Sequence, residues 1–481
     1  MTWADLSPAL PEIFLTLSIF VLLLIGLFRG ETSAPLVTRL GIAVLFGALM
    51  LTWRVPVTVD GGIILFNGLF VQDMFAQFVK SLLLIGAMIT LLMGQAYGRA
   101  EGLNRFEFPV LTLLAMLGTL LMVSSNDMMS LYVGLELQSL ALYVLAAFQR
   151  DNVRSSEAGL KYFVLGALSS GALLYGISLI YGFTGTTNFA QLGSALAQGN
   201  IAPATMVGIV FVLSGIAFKL SAVPFHMWTP DVYEGAPTPV SAFFAAVPKV
   251  AAMALLLRLS SDAFGAVTAS WQQIVMVMSV LSMLLGSFAA LKQTNIKRLM
   301  AYSSIGHVGY ALVGLAAGGE AGYRGVLIYM AIYFMMSLGA FAVILCLRRN
   351  GRQVEQIADL SGLGRSHKLL AIAMVALMFS MAGVPPLAGF FGKFYVFMAA
   401  LESQLYTLAV IGVLTSAVSA FYYLRIIKVM YFDEATDQID PVPERSLQFA
   451  IALVSAYLLL FAFYPSPLLN WAAEAARSLL I

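Results

Sequence analysis

Residues 215–243 read GIAFKLSAVPFHMWTPDVYEGAPTPVSAF. The stretch closes an apolar run that carries Lys219, then breaks at Pro224. A proline there cannot donate to the carbonyl of Leu220, and its ring pushes that turn open. In hydrocarbon a freed carbonyl needs a new partner, so helices broken at membrane depth occur where protein or water lines them. His226, Trp228, Pro230, Asp231, Glu234, Pro237 and Pro239 follow, before a second apolar run that holds Lys249. A bare membrane span needs none of these residues. A polar path through a membrane does.

Composition agrees with a membrane setting. Hydrophobic residues make up 60% of the 481 and charged residues 10%, against about 25% charged in an ordinary soluble domain. Mean hydropathy is +0.90. Apolar runs of about 20 residues recur along the chain, which points to an all-α integral membrane protein. A barrel would alternate over strands of about 10 residues. The net charge of +2 gives no sign of a nucleic-acid partner. Cys346 is the single cysteine, so an internal disulfide and a cysteine metal cage are both excluded. The chain begins with the acids Asp5 and Glu12 and shows no small-residue cleavage site. Residues 9–28 are therefore expected as a retained first span rather than a signal peptide.

A window of about 19 residues predicts about 14 spans. Their limits are 9–28, 34–53, 74–96, 108–125, 128–148, 157–183, 205–223, 238–259, 270–291, 299–318, 323–347, 369–400, 405–431 and 447–466. The seventh and twelfth are interrupted. The longest polar pieces lie near 54–73, 184–204, 348–368 and 432–446. Of 26 Arg and Lys, 17 sit on the side reached after odd-numbered spans, 4 on the other and 5 within spans. Because basic loops stay in the cytoplasm, both termini are expected on the opposite face.

LSAVPF around Pro224 and MAGVPP around Pro385 are offset by 161 residues. The same offset carries the fourth span onto the ninth and the eighth onto the thirteenth. Five helices is an odd number, so the second copy is expected to run upside down, with discontinuous helices at matching places. The division is 1–107 for three leading helices, 108–260 and 261–432 for the two repeats, and 433–481 for a last helix and tail. Under this pairing Lys219 matches Ser380 rather than Lys393.

The five lysines within spans are Lys80, Lys161, Lys219, Lys249 and Lys393, joined by one acid, Glu136. A lysine at the bilayer centre costs roughly 2.5–3.5 kcal/mol on insertion scales, so several together need a reason. Glu136, deep and short, is expected as a buried partner to a lysine rather than a snorkelling carboxylate. Lys219 and Lys249 read as protonatable amines, and Lys393, just past the second break, as a relay amine rather than a plain cap. Lys161 lies nearer its span's cytoplasmic end and has the reach to snorkel. Snorkelling is the favoured reading of Lys80. Histidine titrates near neutral pH, so His226 and His307 are able to pass protons through either nitrogen; a lone histidine in a helical bundle is more often hydrogen-bonded packing, and for His307 the two readings stand even. His367, in a basic loop, reads as solvated. No cysteine cluster, dinucleotide fingerprint or convincing pair of haem ligands is present.

The segments LELQSLALYVLAAF at 135–148, GLKYFVLGALSSGALLYG at 159–176, the quoted stretch, QTNIKRLMAYSSIGHVGY at 293–310 and GVPPLAGFFGKFYVF at 383–397 together resemble the antiporter-like membrane subunits of respiratory complex I. The resemblance covers nearly the whole chain. The sequence stops soon after the fourteenth span, so the long lateral helix of the largest such relative is not expected, and Lys393 stands where the middle one typically has a glutamate. The resemblance implies 14 transmembrane helices, two inverted five-helix bundles, and one proton channel of a redox-driven pump in a bacterial inner membrane, with both termini periplasmic. It also implies Glu136 and Lys219 as a coupled acid–base pair, Lys161 and Lys249 as connecting sites, and Lys393 as the far relay. NADH, FMN, iron–sulfur clusters and quinone would belong to partner subunits, and this chain would hold no cofactor. Its expected partners are other membrane subunits of that complex, related antiporter-like subunits among them, with lipid, protons and water.

On this reading Glu136 sets the proton affinity of Lys219. Opposite charges 4 Å apart attract by about 4 kcal/mol at an effective dielectric of about 20, so a modest change of separation would load or release a proton. Two rivals are a subunit of a multisubunit cation/proton antiporter and a non-transporting scaffold. The number of buried charges argues against the scaffold.

Overall fold

The computed structural model describes residues 6–59, 61–199, 201–434, 439–440 and 445–480. Asp5 and the Arg445 side chain lie outside the described residues. The helices are α1 (Leu10–Arg29), α2 (Ala34–Arg54), α3 (Met74–Glu101), α4 (Glu107–Val123), α5 (Met128–Ala146), α6 (Val153–Thr184), α7 (Phe189–Ala197) and α8 (Pro203–Leu220). They continue as α9 (Thr229–Gly235), α10 (Thr238–Arg258), α11 (Thr268–Leu291), α12 (Ile296–Ala317), α13 (Gly319–Cys346) and the single turn α14 (Leu363–Ser366). The last are α15 (Lys368–Ala382), α16 (Ala388–Glu402), α17 (Tyr406–Phe432), α18 (Arg445–Leu460) and α19 (Ser466–Ser478).

Short polar side chains open several of them. Asp73 accepts from the Ala76 amide at 2.7 Å and Asp127 from Met129 at 2.8 Å. Asn152 and Asn295 start α6 and α12 in the same way, each satisfying amides that a helix start leaves unpaired. Among the described residues, ten helical stretches are long and apolar enough to cross a membrane, and Ser7–Arg54, holding α1 and α2, is one of them. Three shorter apolar helices are Glu107–Val123, Lys368–Ala382 and Leu447–Leu460.

A helix apolar on every side belongs in the middle of a bundle. Every residue of α10 is buried, and nearly every one of α12 and α13. These three form the axis, with α10 and α12 both packed on α13. Pairs α4/α5 and α6/α8 flank it, α11 packs on α12 from outside, and α1, α6 and α17 present long exposed faces.

Two of the polar pieces have more structure than their composition suggests. Residues 54–73 contain a hairpin, β1 (Ile63–Leu65) against β2 (Phe70–Gln72), with Ile64 opposite Val71. Residues 184–204 contain α7, which buries Phe189, Leu192 and Leu196. That i, i+3, i+7 stripe was hidden by the lack of charge around it.

Both interruptions occur where the prolines placed them. Helix α8 stops at Leu220, Ser221 takes φ 64°, and the chain re-enters a helix at Thr229. Helix α15 stops at Ala382, Gly383 takes φ 88°, and α16 starts at Ala388. The Val223–Pro224 and Pro385–Pro386 bonds are cis. At the first break the Phe218 carbonyl accepts from the Trp228 indole at 2.9 Å, and the Val223 amide donates to Ser282 Oγ at 2.9 Å.

Helix α4 meets α5 with little side chain between them. A Cβ on Gly118 would lie 2.4 Å from the Gln138 amide nitrogen, and backbone cannot swing aside as a side-chain tip can. Gly118→Ala is expected to cost about 1–3 kcal/mol and to lower the thermal midpoint of the detergent-solubilised protein. Gly171→Ala, where nothing lies within 4 Å, is expected to leave that midpoint unchanged.

Candidate functional site: a buried line of amines

Lys219 ends α8 one turn before the break. Its ammonium donates to Ser139 Oγ at 2.7 Å and to the Tyr143 hydroxyl at 3.4 Å, both on α5. It also lies 5.5 Å from the Tyr143 ring centre and 5.9 Å from that of Tyr162. The capping role at this break falls to Trp228, so Lys219 is aimed across at α5 instead. Glu136, half-buried, sits one turn before Ser139 on α5 and accepts from Ser170 Oγ. Glu136 and Lys219, which the resemblance implies as a coupled pair, are not in direct contact: among the described residues no ion pair within 4.0 Å joins them. Ser139 and Tyr143 take the place of the carboxylate.

Lys249, fully buried on α10, donates to Ser304 Oγ at 2.7 Å and lies 5.4 Å from the Tyr233 ring centre. Rings link it to Lys219: Tyr162 stacks on Trp228 at 4.4 Å, and Trp228 stands 6.4 Å from Tyr233. From Ser304 one face of α12 continues through His307 and Tyr310, spaced three residues apart. His307 Nδ1 is 2.6 Å from the Tyr329 hydroxyl and Nε2 is 3.1 Å from that of Tyr423. The Tyr310 ring lies 4.9 Å from the ammonium of Lys393. Lys393 donates to the Ala382 carbonyl at 2.9 Å and to Ser416 Oγ at 2.8 Å. It thus does cap the second break, as well as facing α12 and α17. Gly383 is required beside it: its φ is positive, and a Cβ there would lie 2.9 Å from Lys393 Cδ.

Lys219, Lys249 and Lys393 share one property: among the described residues none has a carboxylate within ion-pair reach. Their partners are hydroxyls, a carbonyl and aromatic faces. A hydroxyl both donates and accepts, so these neighbours suit either protonation state of an amine.

Lys161 is elsewhere. Its side chain is 41% exposed and pairs with Glu157 and Asp231, each at 2.7 Å. Asp231 continues to Arg298 at 2.8 Å, and Arg298 to Glu234 at 3.0 Å. This charged rim closes the arginine-rich end of α6, α9 and α12. His226 is half-buried in the first break, with no partner for Nδ1.

The expected snorkelling of Lys80 is wrong. Lys80 is fully enclosed, 2.5 Å from Glu12 and 2.7 Å from Gln72 Oε1. Its partner Glu12 lies on another helix, far away in sequence. Nearby, Arg258 grips Asp73 through two bonds of 2.8 and 3.0 Å. His367, expected in solvent, is half-buried with Nδ1 enclosed and unpartnered.

The membrane-spanning family described as NADH:quinone oxidoreductase/Mrp antiporter matches residues 125–419, well over half of the chain. The chain belongs to this family. It is 56% identical over 480 residues to NADH-quinone oxidoreductase subunit N of Rhodospirillum rubrum, covering 98% of this chain and 97% of that one. To subunit N of Paramagnetospirillum magneticum it is 55% identical, covering 99% and 98%. Among solved structures it is similar to a chain of respiratory complex I from Thermus thermophilus, with a TM-score of 0.81, 32% identity and coverage of 96% and 99%. A chain of the Mrp complex from Dietzia sp. shares the fold, with a TM-score of 0.87, 23% identity and coverage of 100% and 98%.

Within this antiporter-family chain, sequence reasoning missed Ser139, Tyr143, Ser304, Ser416, Tyr329 and Tyr423. Helical spacing offered a signal for two of them, since Ser139 and Tyr143 stand three and seven places after Glu136 on one face. The others meet the amines only through tertiary packing.

Lys80 offers a clean contrast with the unpaired amines. Lys80→Met strands the Glu12 carboxylate and is expected to destabilise by about 3–5 kcal/mol. Adding Glu12→Leu is expected to restore most of the loss, read as thermal midpoints of the single and double variants.

Proposed function

We propose that this chain is a proton-translocating membrane-arm subunit of NADH:quinone oxidoreductase, sitting in a bacterial inner membrane beside related antiporter-like subunits. Electron transfer from NADH through FMN and iron–sulfur clusters to quinone belongs to partner subunits, and protons move here. One observation carries the reading: three buried amines have, among the described residues, no carboxylate partner, Lys249 and Lys393 being bridged by the Ser304, His307 and Tyr310 face of α12 and Lys219 linked to Lys249 by the Tyr162, Trp228 and Tyr233 rings.

In this proposal protons enter past the rim of Lys161, Asp231 and Arg298. They load Lys219 and Lys249, pass His307, and leave through Lys393. Glu136 acts on Lys219 through Ser139 and Tyr143, and a shift of α5 against α8 changes how strongly it does so. His226, at the hinge of the first break, is a secondary candidate. The broken helices supply the two-state element that a pump requires.

We further propose 14 spans. Counting Ser7–Arg54 as two, the ten long apolar stretches and the three shorter apolar helices give that number, with α9 and α16 completing interrupted spans. Helices α4–α10 and α11–α17 would then be the two inverted repeats, within 108–260 and 261–432. Residues 1–107 and 433–481 would flank them. The excess of basic residues on one side supports both termini facing the periplasm.

The assembled complex in inverted membrane vesicles provides the test. Lys219→Ala and Lys393→Ala are each expected to slow proton pumping driven by NADH oxidation roughly tenfold, about 1.4 kcal/mol on the transfer barrier, with assembly intact on native gels. Ser304→Ala, which removes a hydroxyl from Lys249, is expected to lower pumping less, and Ser304→Thr to restore it. Normal pumping in both lysine variants would overturn the assignment.

A further inference from the structure

A groove of about 940 Å³ runs between α15 and α18, away from the line of amines. Its walls are one face of each helix: Leu369, Ile372 and Ala376 on α15, and Ile451, Ser455 and Leu459 on α18. Leu369 is 85% exposed and Ile372 54%, so the trough opens outward. Arg365, His367 and Lys368 stand together at one end. The acids nearest in sequence are engaged elsewhere: Asp359 holds Arg349, and Glu355 holds Lys297. Among the described residues Arg365 and Lys368 have no ion-pair partner, and His367 Nδ1 is enclosed with none.

The depth of the trough narrows the choice of occupant. From Lys368 to Ala376 is about 12 Å along α15, and from Gln448 to Leu459 about 16 Å along α18. Half of a hydrocarbon core is about 15 Å. The groove is therefore one leaflet deep, with cations at headgroup level and apolar walls below. A partner helix crossing the bilayer would want a trough twice as long. Basic pockets between transmembrane helices at the cytoplasmic level suit anionic headgroups.

We propose that the α15/α18 groove binds an anionic glycerophospholipid, its phosphate on Arg365 and Lys368 and one acyl chain along Ile372 and Ile451. The lipid packs against the outer face of the helix whose far end is the second break. It would thereby support α15 while Lys393 acts on the other side. The inference stands on the groove and its cations, independently of how protons move.

The test reconstitutes the whole complex in phosphatidylcholine vesicles with a trace of lipid bearing an acyl-chain diazirine. The trace is phosphatidylglycerol in one arm and phosphatidylcholine in the other, and labelled peptides are mapped after illumination. Each cation near the surface favours anionic lipid roughly fivefold, so two give a phosphatidylglycerol preference of roughly 25-fold on α15 and α18. The double variant R365Q/K368Q is expected to bring the preference close to one. R105Q, at the rim of a separate groove, is expected to leave it intact. Should the double variant fail to assemble, S455W, which fills the trough and keeps the cations, is expected to cut labelling by both lipids. Equal labelling by the two lipids in the unsubstituted complex overturns the proposal and makes the groove ordinary bilayer contact. Absence of label from both overturns it too, because a neighbouring subunit then covers this face.

Discussion

Placing an ammonium ion at the centre of a bilayer costs roughly 2.5–3.5 kcal/mol on insertion scales. A protein that does so repeatedly needs oxygen atoms at those places. Continuous helices consume their own carbonyls, so the oxygens must come from hydroxyl side chains or from helices that stop early. Both devices are used here. Ser139, Ser304 and Ser416 each take a bond from an amine, and Ala382, where α15 ends, gives Lys393 a carbonyl. The kinks and the buried amines are two sides of one arrangement.

The buried charges fall into two kinds. Glu12 with Lys80, and Asp73 with Arg258, are matched pairs that tie α1, α3 and α10 together. Such pairs are hard to break singly and hold a fixed charge state, which suits an anchor. Among the described residues Lys219, Lys249 and Lys393 have neutral partners only, and they lie in turn between α8 and α5, between α10 and α12, and between α16 and α17. A group able to exist with or without its proton belongs in that second setting. The two kinds occupy different helices or different ends of the same helix, so anchoring and proton transfer do not compete.

Much of this was legible in the sequence. Apolar runs of about 20 residues located the helices, and Pro224 and Pro385 located the breaks, because both signals are local. What failed was pairing across helices. Position along a span made Lys80 look like a snorkelling lysine, while its partner Glu12 lay in α1. Glu136 and Lys219 were read as a coupled acid–base pair, yet a hydroxyl and a phenol stand at the lysine. Helix α7 escaped because its apolar stripe sits among small uncharged residues. Linear distance from a membrane edge says how far a side chain must reach, and not what it meets on the way.

The central claim is that the three unpaired amines belong to one hydrated, proton-conducting line. It is tested most directly by a map of the assembled complex in lipid at a resolution that shows ordered water. The expected result is water within hydrogen-bond distance of the ammonium groups of Lys219, Lys249 and Lys393, continuing along Ser304, His307 and Tyr310. Dry amines, each enclosed by the side-chain oxygens named above with no water between them, would contradict it.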